Sequence, residues 1–594
     1  MTLVQAQERT YSGVVKGSDG QPIIGASVEV VGTTVGTSTG LDGDYTIKAK
    51  QGSKIKYSFL GTKSVTVTAG GSTTINVTLE DDAMGLEEVV VQAFGTAKKK
   101  DLTGSVSSID SKLISSQSNS TLSKALEGSI PGLQVSSVDG QPGTDMGIRI
   151  RGIGTASQNN ANALIVIDGV PNTNSNVLAT LNPKDVESIT VLKDAASTAL
   201  WGSRGANGVV MVTTKKGQQG RAKVTFEGRW GINQQGPFKY EKIDDPAEMY
   251  EWAWQSIYNT VRYYGGENYT TNVKNPNMSH EEAALFASQH LFDAPALGKT
   301  SGFAQNSLGN YMLYNVPGAT YTPTGSGSTA SSTMTGAYLI DPSTGKLNPN
   351  AELLYWDPWD GHFLQNRFRQ EYNVSVSGAT DKTDYFISAG YLEDPSYIQG
   401  SQFNRYNVRS NINSQITKWL KAGINMAYSR RAVQSPATRY GRNPGSAVAN
   451  VFRWVNGQSA LIPLYQRNAD GSYILDAAGN KQYTSAAEQN GSVVGPTGGP
   501  TSTANLDYIL NHDKDETISN DINIRGYVEA KFLKDFTFQA NLSTDQTFAM
   551  RSRYWNPVTG SAVSTSGAWG QNYSEYNNIN TQQTLNWAHD YGKH

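Results

Sequence analysis

The segments Arg367-Phe-Arg-Gln-Glu-Tyr-Asn-Val-Ser-Val-Ser-Gly378, Asp384-Tyr-Phe-Ile-Ser-Ala-Gly-Tyr-Leu-Glu393 and Asn404-Arg-Tyr-Asn-Val-Arg-Ser-Asn-Ile-Asn413 follow one another with a mostly two-residue period. That period places successive side chains on opposite faces of a strand. Five further stretches of the same kind, Ala222–Ile232, Trp419–Ser429, Asp521–Lys531, Phe536–Ser543 and Asn577–Trp587, bring the expected strands to eight. Short polar turns at 379–383, 414–418 and 532–535 join several of them. The connections 233–366 and 430–520 are instead very long, about 130 and about 90 residues. Short turns on one side and long loops on the other is the asymmetry of an outer-membrane β-barrel. A soluble sandwich also alternates, but it has no need of two such loops.

Composition points to the same class. The 594 residues include 60 Gly, 30 Tyr and 11 Trp, and transmembrane β-barrels use Tyr and Trp at the two membrane interfaces. No run of 18 apolar residues exists, which excludes a transmembrane helix. The chain has 0 cysteines, which fits an exported bacterial protein and excludes thiolate metal sites and a Cys nucleophile. A net charge of −2 leaves no electrostatic case for nucleic acid binding. Residues 1–8 lack a charged n-region and a full apolar core. They are expected to be the residual end of a signal peptide cleaved near Ala6, with a plain cytosolic start as the alternative.

Working back toward the N-terminus, 217–594 is the expected partial barrel and 101–216 a small α+β domain. In the latter, Leu164–Ile167 reads as a buried strand ending in the turn Asp168-Gly-Val-Pro171. Residues 9–80 hold short β-branched runs spaced by Gly/Asp turns, the pattern of a β-sandwich. Between these domains, in 81–100, lies Leu86-Glu-Glu-Val-Val-Val-Gln-Ala-Phe-Gly95, preceded by acidic residues and followed by Lys98-Lys-Lys100. Three valines with no partner strand nearby are an aggregation risk. A physical reason to keep them is that another protein adds them to its own sheet.

Several blocks carry a family resemblance: Asp42-Gly-Asp-Tyr-Thr-Ile47, Glu87-Glu-Val-Val-Val-Gln-Ala-Phe-Gly-Thr96, Gly128-Ser-Ile-Pro-Gly-Leu133, Ile148-Arg-Ile-Arg-Gly152, Ile167-Asp-Gly-Val-Pro171 and Ile189-Thr-Val-Leu-Lys-Asp194 through Trp201–Val209. In this order they resemble the SusC/RagA-type TonB-dependent transporters of the Gram-negative outer membrane. The resemblance implies a mainly β fold: a carboxypeptidase-regulatory-like β-sandwich (9–80), a Ton box and linker (81–100), an α+β plug (101–216) and the first strands of a 22-stranded transmembrane barrel. It implies that Glu87, Glu88, Val89, Val90 and Val91 bind the C-terminal domain of TonB. It further implies a SusD-like surface lipoprotein as lid and a glycan, oligosaccharide or peptide as substrate. A non-transporting outer-membrane receptor and a soluble carbohydrate-binding module are the alternatives. Eight strands cannot enclose a plug, and an open sheet edge cannot face lipid. The chain is therefore expected to be a portion of a longer protein.

Arg149 and Arg151 alternate on an expected plug strand and are candidates for pairing with carboxylates of the barrel wall; solvated arginines are the competing reading. Trp252, Trp254, Trp356 and Trp359 lie in or near the first long loop, where they could stack on sugar rings or serve loop packing. No catalytic, metal or cofactor constellation is legible. His280-Glu-Glu has Ala284 where a zincin motif needs its second His. Gly152-Ile-Gly154 lacks a Rossmann unit, Gly202-Ser-Arg-Gly205 has the wrong spacing for a nucleophile elbow, and Asp42-Gly-Asp44 reads as a hairpin turn rather than a calcium loop.

Overall fold

The computed structural model describes residues 8–591 apart from 19, 34, 60–61, 63, 81–88, 93–94, 99–105, 137–139, 156–160, 173–176, 218–219, 238–240, 264–277, 293–312, 325–330, 359, 437–450, 453–454, 456–459, 462, 469, 485–504, 559–561, 563–564 and 590. It divides into two compact units, Met1–Val106 and Ser107–His594.

The first unit is a β-sandwich with strands β1 (Glu8–Gly17), β2 (Ser27–Val30), β3 (Gly36–Ser38), β4 (Asp44–Lys50), β5 (Lys54–Ser58), β6 (Val65–Thr68) and β7 (Val77–Leu79). They pair as two sheets, β4-β1-β7 and β3-β2-β5-β6. Alternation along β4 buries Tyr45, Ile47 and Ala49 against Tyr11, Val28, Ile55 and Leu79. Between the sheets the Tyr45 hydroxyl donates to the Ile75 carbonyl (2.8 Å) and so accepts from Tyr57 (2.6 Å). The Asp42-Gly43 step is a turn: Gly43 has φ +71°, and a Cβ there would stand 2.6 Å from the Val15 carbonyl oxygen.

The Val89–Val91 run has a partner after all. Strand β8 (Val89–Gln92) pairs antiparallel with β9 (Gly95–Lys98), Val89 opposite Lys98. The run expected to be isolated is thus paired along one edge.

The second unit begins with an α+β domain built on β10 (Val106–Asp110), β11 (Leu133–Ser136), β12 (Gly147–Ile150), β13 (Leu164–Ile167), β14 (Val170–Asn172), β15 (Val186–Leu192) and β16 (Val209–Thr214). Five of these form a sheet in the order β10-β15-β16-β13-β14, and β11 pairs with β12. Strand β13 is buried at all four positions and runs parallel to β16, which is why it reads as a continuous apolar run.

Beyond it lies β17 (Gly220–Asn233). The first long connection then carries β18 (Tyr314–Asn315), β19 (Ala319–Thr324), β20 (Ser331–Gly336) and β21 (Glu352–Leu353). After these come β22 (Arg367–Ala379), β23 (Thr383–Pro395), β24 (Gln402–Gln415), β25 (Leu420–Ser435), β26 (Lys514–Phe532), β27 (Phe536–Trp555) and β28 (Ala568–Trp587). Strand β17 and strands β22 to β28 form one eight-stranded sheet in chain order, each neighbour antiparallel. Among the described residues this sheet is open, with β17 and β28 at its edges.

Its two faces are inverted relative to a soluble protein. On β24 the buried positions are mostly Arg405, Asn407, Arg409, Asn411 and Asn413, while Tyr406 and Val408 are exposed. Neighbouring strands repeat this, with Val224, Phe226, Val374, Ile424, Met426 and Leu542 on the exposed face. An apolar outside around a polar inside is the arrangement of a wall that faces lipid. Aromatic side chains mark two levels on it. Trp230, Tyr372, Tyr391 and Tyr406 stand side by side on four adjacent strands, with ring centroids 5.8, 6.5 and 4.8 Å apart. At the short-turn end, Trp419, Phe532 and Trp587 are exposed. Tyr406 lies opposite Arg430, about eleven residues along from Trp419. At about 3.3 Å per residue and a tilt near 40°, the two girdles stand roughly 28 Å apart.

The two long connections do not behave as separate loops. Helix Pro246–Tyr263 from the first and residues Val451, Val455, Leu461, Leu464, Leu506, Ile509 and Leu510 from the second share one apolar core. Trp254 sits in it, 5% exposed, stacked on Tyr258 at 5.3 Å and donating from Nε1 to the Ser288 hydroxyl (2.8 Å). Trp254→Ala is expected to cost this loop domain about 3–5 kcal/mol. Amide hydrogen exchange is expected to show faster opening over Pro246–Tyr263 and Leu506–His512, with protection of β22 to β25 unchanged.

Candidate functional site

The polar inner face of the sheet is occupied by the α+β domain, and β24 is the strand that grips it. Its inward side chains engage the domain in sequence order. Phe403 packs so closely on Gly143 that a Cβ there would come within 2.1 Å of its ring. Arg405, 1% exposed, donates from Nη1 to the Ser120 (2.9 Å) and Leu181 (3.2 Å) carbonyls. Asn407 accepts from the Asn182 amide (3.4 Å). Arg409 lies 3.6 Å from the Asp185 carboxylate. Asn411 donates to the Thr214 hydroxyl (2.9 Å) and the Lys215 carbonyl (2.8 Å).

The partner of this row is the corner Leu181-Asn-Pro-Lys-Asp185, a short 3-10 turn leading into β15. Asn182 caps the turn by accepting from the Lys184 amide (3.1 Å), and it donates to Asn373 (2.7 Å). Lys184 reaches Glu227 on β17 (2.6 Å) and the Ser115 carbonyl (2.8 Å). Arg229 completes that cluster, 2.6 Å from Glu227 and 2.6 Å from the same carbonyl. Asp185 accepts from the Ser388 hydroxyl (2.7 Å). Burial pushes the Asp185 carboxyl above the usual carboxylate range, while Arg409, Ser388 and Arg405 pull it back. Lower on the sheet, Arg525 donates to the carbonyl of Asp168, a residue held at φ +48° whose carboxylate accepts from the Thr214 amide and hydroxyl.

On the side from which the long connections leave, a cavity of about 340 Å³ opens between the two layers. Ser120, Lys124 and Gln141 line it from the domain, and Asn233, Arg369 and Asp394 from the sheet. Nothing in this arrangement pairs a nucleophile with a base, and no cluster of three metal-ligating side chains occurs among the described residues. Apart from the Phe403–Gly143 contact, it is a largely polar surface made mostly of side chains donating to carbonyls and carboxylates.

Comparison with known proteins explains that surface. Residues 98–209 match the TonB-dependent receptor plug domain family, and residues 11–91 match the CarboxypepD_reg-like domain family. TonB-dependent receptor SusC of Bacteroides thetaiotaomicron is 44% identical over 230 residues, covering 38% of this chain and 23% of that protein. TonB-dependent receptor P26 of Formosa agariphila is 32% identical over 464 residues, covering 78% of this chain and 37% of that one. A structure of the RagAB peptide importer in its open-open state superposes with a TM-score of 0.57 at 21% identity, over 85% of this chain and 47% of that one. The chain belongs to the SusC/RagA-type TonB-dependent receptors. It spans about a quarter to a half of the length of the curated relatives it matches. The α+β domain is the plug, and the eight-stranded sheet is barrel wall.

Of the residues singled out from sequence, Glu87, Glu88 and Trp359 lie outside the described residues. Val89, Val90 and Val91 form β8. Arg149 is half-buried on β12 with its Nε unpartnered, and Arg151 lies past the strand end, exposed, at φ +57°. The two do not continue one alternating face, and among the described residues neither enters an ion pair; the plug–wall pairs are made by Lys184 and Asp185. Trp252 is exposed, with Nε1 3.3 Å from Glu248, and Trp356 is also exposed. Trp254 is core and presents no ring to a ligand. Sequence reasoning missed the β24 row, although two arginines and three asparagines on one face of a strand were a visible signal.

Arg405→Met strips the Ser120 and Leu181 carbonyls of their donor, and leaving buried acceptors bare is expected to loosen plug seating by about 1–3 kcal/mol. Faster amide exchange over 118–123 and 181–185, with β22 to β25 unchanged, is the expected reading.

Proposed function

We propose that the protein is the plug-bearing part of an active importer of the Gram-negative outer membrane rather than an enzyme. It would bring in a glycan or oligosaccharide, or a peptide, with energy delivered by TonB and with a SusD-like lipoprotein as lid. The observation that carries this reading is the polar, side-chain-bonded contact between plug and wall. A domain held by hydrogen bonds and ion pairs can exchange partners as it moves, whereas an apolar interface would have to be exposed to water. The inverted wall, with its two aromatic girdles, supports placement in the outer membrane. Functionally we divide the chain into the sandwich (9–80), the coupling segment (81–100), the plug (101–216) and the wall with its loops (217–594).

Coupling is assigned to Glu87–Val91. Strand β8 already pairs with β9 along one edge, and its other edge is open to strand addition among the described residues. The TonB C-terminal domain would add there as a further strand. Substrate entering from the loop side meets the cavity between plug and wall. It can promote coupling only by binding more tightly to the state in which the segment is accessible. Force on the segment then rearranges part of the plug and opens a path.

Val90→Pro removes a backbone donor from β8 and cannot be accommodated in an added strand. Uptake of the cognate substrate is expected to fall to background, with surface binding of that substrate retained. Unimpaired uptake by this variant would remove the coupling role from the segment.

A further inference from the structure

At Gly390 the wall leaves out a side chain, and that gap coincides with a plug amide. Gly390 on β23 lies directly between Asn373 on β22 and Asn407 on β24 in register. A Cβ at 390 would stand 2.7 Å from Oδ1 of Asn373, 2.7 Å from Oδ1 of Asn407 and 2.9 Å from Nδ2 of Asn182. The Asn182 amide therefore enters a slot floored by glycine and walled by two carbonyl oxygens, its Nδ2 donating to both at 2.7 and 3.4 Å. The slot is held in orientation. Asn373 donates to Glu371 (3.2 Å), which in turn accepts from Arg369 (3.2 Å), all on the inner face of β22. Arg405 and Arg409 flank Asn407 and hold the plug on either side of Asn182, at Leu181 and Asp185.

We infer that Asn373, Gly390 and Asn407 form a socket that reads Asn182 and so sets the resting position of the plug. Asn182 and Gly390 are positioning residues: they fix where the plug sits when no force acts and where it returns afterwards. A salt bridge tolerates a shift of an ångström or more, because charges attract over distance. An amide in a slot that only glycine leaves open does not. The coarse attraction comes from Arg405, Arg409 and Lys184, and the register comes from the socket. This inference rests on the reading of the chain as a plugged importer.

The 594 residues contain 0 cysteines, and the test is run in a background in which any cysteine outside them is replaced by serine. Thr180→Cys places a thiol beside the plug–wall gap, which Thr180 lines. In cells producing the protein from its own locus, without substrate and without TonB, the rate of maleimide labelling at this position reports opening of the seat. Asn182→Ala and Gly390→Ala are each expected to raise that rate about tenfold, the effect of losing a buried hydrogen bond. The double variant is expected to label no faster than either single one, because the added methyl no longer meets an amide. Asn182→Asp keeps the cap on the Lys184 amide but cannot donate, so it is expected to behave like Asn182→Ala. Gly526→Ala, a wall glycine with nothing near its Cβ position, is the control and is expected to label at the parental rate. Multiplicative effects in the double variant, or an Asn182→Asp protein that labels at the parental rate, would overturn the socket. Should Gly390→Ala not reach the membrane, the Asn182→Asp and Asn373→Ala proteins decide alone. The readout involves neither TonB nor substrate, so a failure of uptake and a failure of the socket are separately visible.

Discussion

A sheet that turns its apolar face to lipid has to satisfy its polar face from within, and everything else in the second unit follows from that requirement. The inner surface of β24 alone presents two arginines and three asparagines, none of which could be left dry and unpaired without a cost of kilocalories per group. The plug satisfies most of this demand with backbone carbonyls and a few charged side chains. Some atoms stay without a hydrogen-bond partner, among them Nε of Arg405 and Oδ1 of Asn425. The fit is close in places, as at Gly143 against Phe403, but it is a polar fit. Interfaces of this kind hold by direction and number of bonds rather than by exclusion of water.

The wall was the most legible part of the sequence. All eight strands were visible as two-residue alternations because inside and outside differ sharply there. Their far ends were not: β27 runs to Trp555, whereas alternation is readable only to Ser543. At Thr544-Asp-Gln-Thr547 both faces of the strand carry polar residues, so the sequence no longer distinguishes them. The plug strands were legible for the opposite reason, since β13 and β16 are apolar on both faces.

The contacts between layers were much less legible. Arg149 and Arg151 were reasonable candidates by charge and spacing, but β12 is paired with β11 inside the plug and ends before Arg151. Among the residues that do meet the wall, Asn182 to Asp185 sit in a turn whose sequence reports only its local cap. Gly390 carries no signal by itself; its meaning depends on two strands on either side and on a plug residue some two hundred positions away in the chain. Trp254 illustrates the same limit. Indole rings in a loop suggest a ligand, and only the shared core with Leu506 and Ile509 reveals packing.

That shared core has a consequence for how the protein assembles. Its two halves come from connections separated by the whole of β22 to β25, so the core cannot close until those four strands have found their places. Contacts at such sequence separation form late, after the entropy of the intervening chain has been overcome. A wall built out of register would carry the helix Pro246–Tyr263 to the wrong station and leave Trp254, Tyr250 and Phe292 exposed to water. The loop domain thus acts as a checkpoint on the sheet beneath it, its burial completed only by a chain whose strands are already correctly ordered.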